Sequence, residues 1–370
     1  MGKFNLQPTI FQMNSVTAFL EAFVVGEDDL LITNRHFYDD YFAKADLSCD
    51  VIQPSDYGKG EPTDTMVDAM AADLKKTYNR VIAVGGGSVL DVAKFLALKQ
   101  PAPVLDLYDC KRSPEKASQL ILIPTTCGTG SEVTNVAALA LTSRGTKAGY
   151  GSDALYADAA VLIPQLLQSL PMAPFATSSI DALIHAVESA LSPKATDISR
   201  MFSYEAIRLI LAGYVDIATN GEEARFKHLG ALLLASSYAG IAFCNAGCAA
   251  VHALSYPLGG IFHVPHGESN YAMFNGVINA YLAERRDGEI DSLAGVISQY
   301  LDCPRGDAFS ALDQLLSTLV PKKRLREYGM SELQIETFAD SVFTNQQRLL
   351  VNSFVPLSRA QIAGIYRSLY

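Results

Sequence analysis

Histidine is scarce in this chain, at 6 of 370 residues. Its 6 cysteines contain no CxxC pair, so the common thiolate metal and redox motifs are absent. Cys244 and Cys248 are four apart, a spacing that would put both on one helical face and reads as two packed core thiols. The opening stretch MGKFNLQPTIFQ has no basic region followed by an apolar run, so no signal peptide is expected. Reduced thiols and a cytoplasmic location are the matching expectations. Only 18% of residues are charged and the net charge is -10. An acidic surface argues against nucleic acid or anionic membrane as the main partner. Any anionic ligand must therefore meet a local positive site. There is no internal repeat and no low-complexity tract.

A longer absence lies in the second half. From Leu229 to Gly267 there is no Asp, Glu, Lys or Arg. LGALLLASSYAGIAF is apolar enough to suggest a membrane span. Asn245, three histidines, two prolines and scattered Ser and Gly argue against it. A buried helix of a large helical domain is the expected reading, with no membrane partner.

What is present is apolar residue, 49% of the chain. With 370 residues, two domains are expected rather than one core. The first half alternates: DLLIT (29–33), RVIAV (80–84), LILIP (120–124) and AAVLIP (159–164) read as strands. MVDAMAADLKKTY (66–78) and VLDVAKFLALK (89–99) read as helices. That rhythm predicts parallel βαβ units in a doubly wound α/β sheet over residues 1–172. LPMAPFAT (170–177), with two prolines, reads as the hinge. Residues 173–370 carry helical periodicity almost throughout and predict an all-α domain.

Two glycine turns follow strands of the first domain. In RVIAVGGGSVLDVAK, three glycines lead into a helix with Ser88 near its cap and Asp91 in its first turn. Glycine permits positive φ and close backbone approach, and a helix N-terminus suits a phosphate. In LILIPTTCGTGSEVT, the residues Thr125, Thr126, Thr129 and Ser131 offer hydroxyls to the same pyrophosphate. Neither turn is G-x-G-x-x-G, so the standard dinucleotide fingerprint is missing. Tight turns without ligands are common. Two of them, each after a strand of one sheet, point to a dinucleotide at the strand carboxyl ends.

The histidines point elsewhere. Asp181 and His185 in SSIDALIHAVE are i and i+4, on one helical face. Alone they suggest an intrahelical hydrogen bond. HALSYPLGGIFHVPHG (252–267) alters the balance by holding half of all the histidines. His252 ends a long apolar helix on this reading, Pro257, Gly259 and Gly260 turn the chain back, and His266 follows Pro265. Three nitrogens and one carboxylate would suit Fe(II), Zn(II) or a similar cation, and an ion would satisfy polar groups that are costly to bury. His263 is the spare, a ligand's neighbour, a substrate contact or a turn residue. His36 and His228 lie outside these motifs and read as ordinary.

GGGSVLDVAK, PTTCGTGSEVT, DALIH and HxxxxPLGxxxxxPHG, in this order over essentially the whole chain, resemble the iron-containing (group III) alcohol dehydrogenase family. The resemblance implies a dinucleotide-binding α/β domain and a helical domain, as in dehydroquinate synthase. It implies metal ligation by Asp181, His185, His252 and His266, with Fe(II) favoured over Zn(II). It implies pyrophosphate contacts from Gly86, Gly87, Ser88, Thr126, Thr129 and Ser131, Lys147 near the cofactor, and a homodimer. Asn34, at the end of the first strand, stands where NAD-preferring relatives often have an acid. NAD is expected and NADP is not excluded. Many relatives carry a proton-relaying histidine four residues after the third ligand, where this chain has Tyr256. His263 could take that role.

GIAFCNAGCAAVHALSYPLGG, HVPHGESNY, LREYGM, ETFADS and QQRLLVN are similar to a branch of the family that interconverts 4-hydroxybutyrate and succinate semialdehyde. A hydroxy acid/aldehyde substrate is implied. Lys147, His263, Asn245, Tyr271 and Arg348 are candidates to meet its carboxylate. The alternatives are a dehydrogenase of a neutral alcohol such as 1-propanol, a lyase like dehydroquinate synthase, and a non-catalytic binder. The lyase is disfavoured because no Lys or Arg stands in the metal motifs.

Overall fold

The structure is a computed structural model and describes residues 4–58 and 60–370. The chain divides into two compact units, Leu6–Leu170 and Pro171–Tyr370, and Asn5 joins the second through hydrogen bonds with Asn245.

The first unit contains strands β1 (Thr9–Gln12), β2 (Asp29–Thr33), β3 (Asp50–Ile52), β4 (Arg80–Gly85), β5 (Gln119–Pro124), β6 (Val136–Leu141), β7 (Thr146–Gly151) and β8 (Ala159–Leu162). Six form one sheet in the order β1-β8-β5-β4-β2-β3, and every pairing in it is parallel. The apolar runs account for this. Successive side chains point to opposite faces of a strand. Leu30, Ile32, Val81, Ala83, Leu120 and Leu122 enter one core. Leu31, Ile82, Val84, Ile121 and Ile123 enter the other. Strands without polar alternation suit a sheet covered on both faces. Helices α1 (Val16–Phe23), α2 (Asp64–Ala72) and α3 (Gly87–Leu96) belong to this unit, counting helices of eight residues or more. The chain runs outward from β2 to β3, then adds β4 on the other side of β2. The switch point, where such sheets take ligands, is therefore between β2 and β4.

Three local expectations shift. Helix α2 ends at Ala72 rather than running to Tyr78, because Lys75 and Tyr78 are drawn to Asp50 at the start of β3. The antiparallel hairpin β6–β7 was not anticipated, since its Ala- and Gly-rich strands carry little β signal. The segment 170–177 is no loop beyond Pro171, for a helix starts at Met172. Pro174 lies in its first turn, where the missing N–H would have no helical partner anyway.

The second unit is helical: α4 (Met172–Leu191), α5 (Asp197–Asn220), α6 (Leu229–Ala246), α7 (Ala250–Phe262), α8 (His266–Glu284), α9 (Glu289–Leu301), α10 (Ala308–Leu319), α11 (Gln334–Asn345) and α12 (Arg359–Leu369). Helix α6 is long and apolar enough to cross a membrane by length and composition. It packs on α4 and α5, and 61% of it is buried there.

The path around His252 differs from expectation. Helix α6 stops at Ala246, and Gly247 (φ 84°) breaks the chain direction. Cys244 and Cys248 thus do not share a helix. His252 lies in the first turn of α7, and α7 runs through Pro257 to Phe262. A proline inside a helix costs about 3 kcal/mol. Burial of Leu254 and Leu258, and a hydrogen bond from the Tyr366 hydroxyl to the Leu254 carbonyl at 2.6 Å, offset it. The reversal comes later, at His263, which is left-handed (φ 55°), and Pro265 then caps α8.

Candidate metal centre and dinucleotide floor

Helix α4 supplies Asp181 and His185 from one face, α7 supplies His252 and the start of α8 supplies His266. Their ligand atoms all lie within 4.8 Å of one another. His185 Nε2 and His252 Nε2 are 2.9 Å apart. His252 Nε2 is 3.9 Å from Asp181 Oδ1, and His266 Nε2 is 3.9 Å from Asp181 Oδ2. With bonds of about 2.1 Å, tetrahedral ligand atoms stand roughly 3.4 Å apart. The observed spacings bracket that value, so the donors fit a divalent ion. Asp181, His185 and His252 are each at most 4% exposed.

Close packing makes this possible. A Cβ on Gly267 would meet the Thr177 carbonyl oxygen at 2.4 Å and Asp181 Cβ at 3.3 Å. The glycine of PHG thus lets α8 rest on the backbone of α4 and deliver His266. Two buried polar residues complete the cluster, and neither was anticipated. Asn270, one turn after His266, donates from Nδ2 to Asp181 Oδ1 at 2.7 Å, while its own Oδ1 is buried with no partner. Glu188, one turn after His185, lies 2.6 Å from His252 Nδ1. Both continue the helical spacing of a ligand, at i+4 and i+3, and that spacing was the available signal.

The charges are coupled. Burial alone would raise the Asp181 carboxyl, yet His185, His266, His252 and the Asn270 amide bring it below its ordinary value. Burial pushes the His252 imidazole down, but Cys248 and Glu188 carry it well above the usual value. The Cys248 thiol, raised by burial, is brought down to about 7 by His252 and His185 beside it. Cys248, read from the sequence as a packed core thiol, is in contact with two imidazoles of the cluster.

In the sheet unit, the two glycine turns pack on each other. A Cβ on Gly87 would meet Thr129 Cγ2 at 2.6 Å, one on Gly86 would meet Thr126 Cγ2 at 3.4 Å, and one on Gly85 would meet Val89 Cβ at 2.5 Å. None of the three has positive φ among the described glycines; Gly130 does, at 58°. The run GGG therefore serves close approach and not an unusual backbone. Thr125 is buried, its N–H bonded to the Gly85 carbonyl at 3.0 Å.

Asp91 is not in the first turn of α3. Its carboxylate accepts from Ser131 Oγ at 2.6 Å and from the Ala138 N–H at 2.9 Å. It ties α3 to the second turn and to β6, and Ser131 spends its proton inward. Lys147 ion-pairs with Glu61 at 2.6 Å. Asn34, Ser88, Val89 and Gly58 line a cleft of about 640 Å³ at the switch point. His36 lines it too, although the sequence gave no reason to single it out, because its neighbours in the chain form no motif.

Of the carboxylate candidates, Lys147 is engaged by Glu61, Asn245 by Asn5, and the Tyr271 hydroxyl by the Val320 carbonyl at 3.2 Å. His263 and Arg348 are exposed. Tyr256 is half-buried, one turn after His252 on α7.

Residues 9–164 match the family described as iron-containing alcohol dehydrogenase, and residues 175–370 match the C-terminal region of the same family. The chain belongs to the iron-containing alcohol dehydrogenase family. It is a metal-dependent oxidoreductase of that family. The chain is 46% identical over 371 residues to 4-hydroxybutyrate dehydrogenase of Clostridium kluyveri, covering 100% of both. It is 37% identical over 320 residues to long-chain-alcohol dehydrogenase 1 of Geobacillus thermodenitrificans, covering 84% of this chain and 79% of that one. Sulfoacetaldehyde reductase from Bifidobacterium kashiwanohense, solved in complex with NAD+, superposes with a TM-score of 0.84 at 25% identity, covering 100% of this chain and 98% of that one.

Proposed function

We propose that this alcohol dehydrogenase interconverts 4-hydroxybutyrate and succinate semialdehyde with NAD(H), using Fe(II) held by Asp181, His185, His252 and His266. The observation that carries this is the 46% identity to 4-hydroxybutyrate dehydrogenase along the whole chain. A bound divalent cation is a Lewis acid that withdraws electron density from an alcohol or aldehyde oxygen. NAD held at the two glycine turns would supply the hydride acceptor for the alcohol carbon, and one proton would be released as the carbonyl forms.

The protein's part is to hold and to orient. Gly86, Gly87 and Ser88 offer backbone N–H groups at the start of α3 to the pyrophosphate, and Thr126 and Thr129 close on it from the second turn. Asp91 positions Ser131 and does not itself touch the cofactor. Asn34 offers an amide to the ribose hydroxyls. Tyr256 and His263 are the candidates to pass the proton. Tyr256→Phe and His263→Asn separate them, because only the residue in the route changes the pH dependence of kcat when lost. A neutral phenol oxygen is a poorer proton acceptor than an imidazole nitrogen, which favours His263.

The test is NADH oxidation with succinate semialdehyde against propanal, on protein whose metal has been quantified. Succinate semialdehyde should be preferred by at least about 10-fold in kcat/KM, a difference of roughly 1.4 kcal/mol. A preference for propanal would favour the neutral-alcohol reading instead.

A further inference from the structure

We infer that Glu188 is a positioning residue for the metal centre, acting through His252. The inference rests on the metal reading above and deepens it. Glu188 is 3% exposed, and its carboxylate faces three donors. Oε2 lies 2.6 Å from His252 Nδ1 and accepts from the Ala249 N–H at 2.9 Å, and Oε1 accepts from the Val251 N–H at 2.6 Å. Among the described residues it forms no ion pair with Lys or Arg.

Two consequences follow from that geometry. The Ala249 and Val251 amides begin α7, where N–H groups lack helical acceptors. A carboxylate there satisfies them and matches the helix dipole. The same carboxylate holds the proton of His252 on Nδ1. In the neutral imidazole that a metal requires, Nε2 is then left with its lone pair, on the side where His185 Nε2 and Asp181 stand. A carboxylate behind a ligating imidazole fixes ring and tautomer and raises its basicity. With Asp181, Glu188 also brings two negative charges to a site that would hold two positive ones, so the buried centre is electrically balanced.

A purely structural role, capping α7, must be separated from this one. Glu188→Gln presents its NH₂ group either to His252, which favours the tautomer with its proton on Nε2, or to the Val251 N–H, which leaves that donor unmet at the start of α7. The measurement is the affinity of metal-stripped protein for Zn²⁺ and for Co²⁺, by chelator competition, together with the Co²⁺ absorption spectrum and the Tm of the apoprotein. The expected result is a loss of roughly 10–100-fold in metal affinity, with a changed Co²⁺ spectrum. In a double-mutant cycle, Glu188→Gln should cost little further once His252→Ala is present. The same cycle with Glu188→Asp, which keeps the charge at the helix start, reads the contact if the Gln variant does not fold.

Equal metal affinity in wild type and the Glu188 variants would overturn the inference. So would a loss that persists undiminished on the His252→Ala background, or one matched by Cys248→Ser, since Cys248 is the other group against His252. Failure of the wild-type protein to take up either ion would instead overturn the metal reading itself.

Discussion

The helical unit meets its proposed ion with side chains, and the sheet unit meets its proposed pyrophosphate with bare backbone. In the first, one carboxylate and three imidazoles from α4, α7 and α8 converge within 4.8 Å, with Asp181, His185 and His252 buried and His266 partly exposed. In the second, glycines are kept free of side chains because Val89, Thr126 and Thr129 already fill the space a Cβ would take. The difference follows from the ligands. A small dication needs a few strong donors at short, fixed distances. A dinucleotide spreads its charge over a longer body, and many weak N–H donors with room between them suit it better. Damage to one unit should therefore read out separately from damage to the other.

The largest expected effect is at the cage. His252→Ala should weaken metal binding by about 100-fold or more, so that the purified protein carries little metal although added Zn²⁺ still binds measurably, and lower turnover by about 10³-fold or more. Its binding of NADH, followed by cofactor fluorescence, should be unchanged. Elemental analysis and a steady-state assay check both halves, and a variant that kept its metal and its rate would break the comparison. Next comes the mirror experiment in the floor. Gly87→Ala adds a methyl group 2.6 Å from Thr129 Cγ2. Overpacking of roughly 1–3 kcal/mol should raise the KM for NAD by about 10–100-fold, while metal content stays at the wild-type level.

A smaller effect is expected from Asn270→Ala, which removes the amide that holds Asp181. Metal affinity should fall by about 10-fold with no change in NADH titration. Equal affinity would mean that α4 alone orients Asp181. The smallest change concerns cofactor choice. Asn34→Asp puts a charge at the end of β2, in the cleft that Ser88 and His36 also line. The ratio of kcat/KM for NAD over NADP should rise about 3–10-fold through repulsion of the 2′-phosphate. A ratio that did not move would place the ribose away from Asn34.

Four of the sheet's six strands were readable because fully buried strands are continuous apolar runs, whereas the short edge strands β1 and β3, less buried, were not. DLLIT, RVIAV, LILIP and the Ala159–Leu162 run needed nothing beyond their own composition. The pairing of Asp181 with His185 was readable because helical periodicity is a short-range code. Glu188 and Asn270 obey the same code and could have been found by extending it one turn. The hairpin β6–β7 was not readable, since its residues have no strong preference and it exists through pairing with each other.

By itself, the sequence determined where strands end in glycine, which helical faces carry the candidate metal donors, and that His185, His252 and His266 belong together. Those are properties of a few neighbouring residues and of the backbone between them. Only the tertiary structure decided that α7 passes through Pro257 and turns at His263, that Asp91 ties two turns together, and that Glu188 stands behind His252. Each depends on which distant groups are buried against each other. A buried carboxylate must find donors, and packing outweighs a local preference of about 3 kcal/mol against proline in a helix.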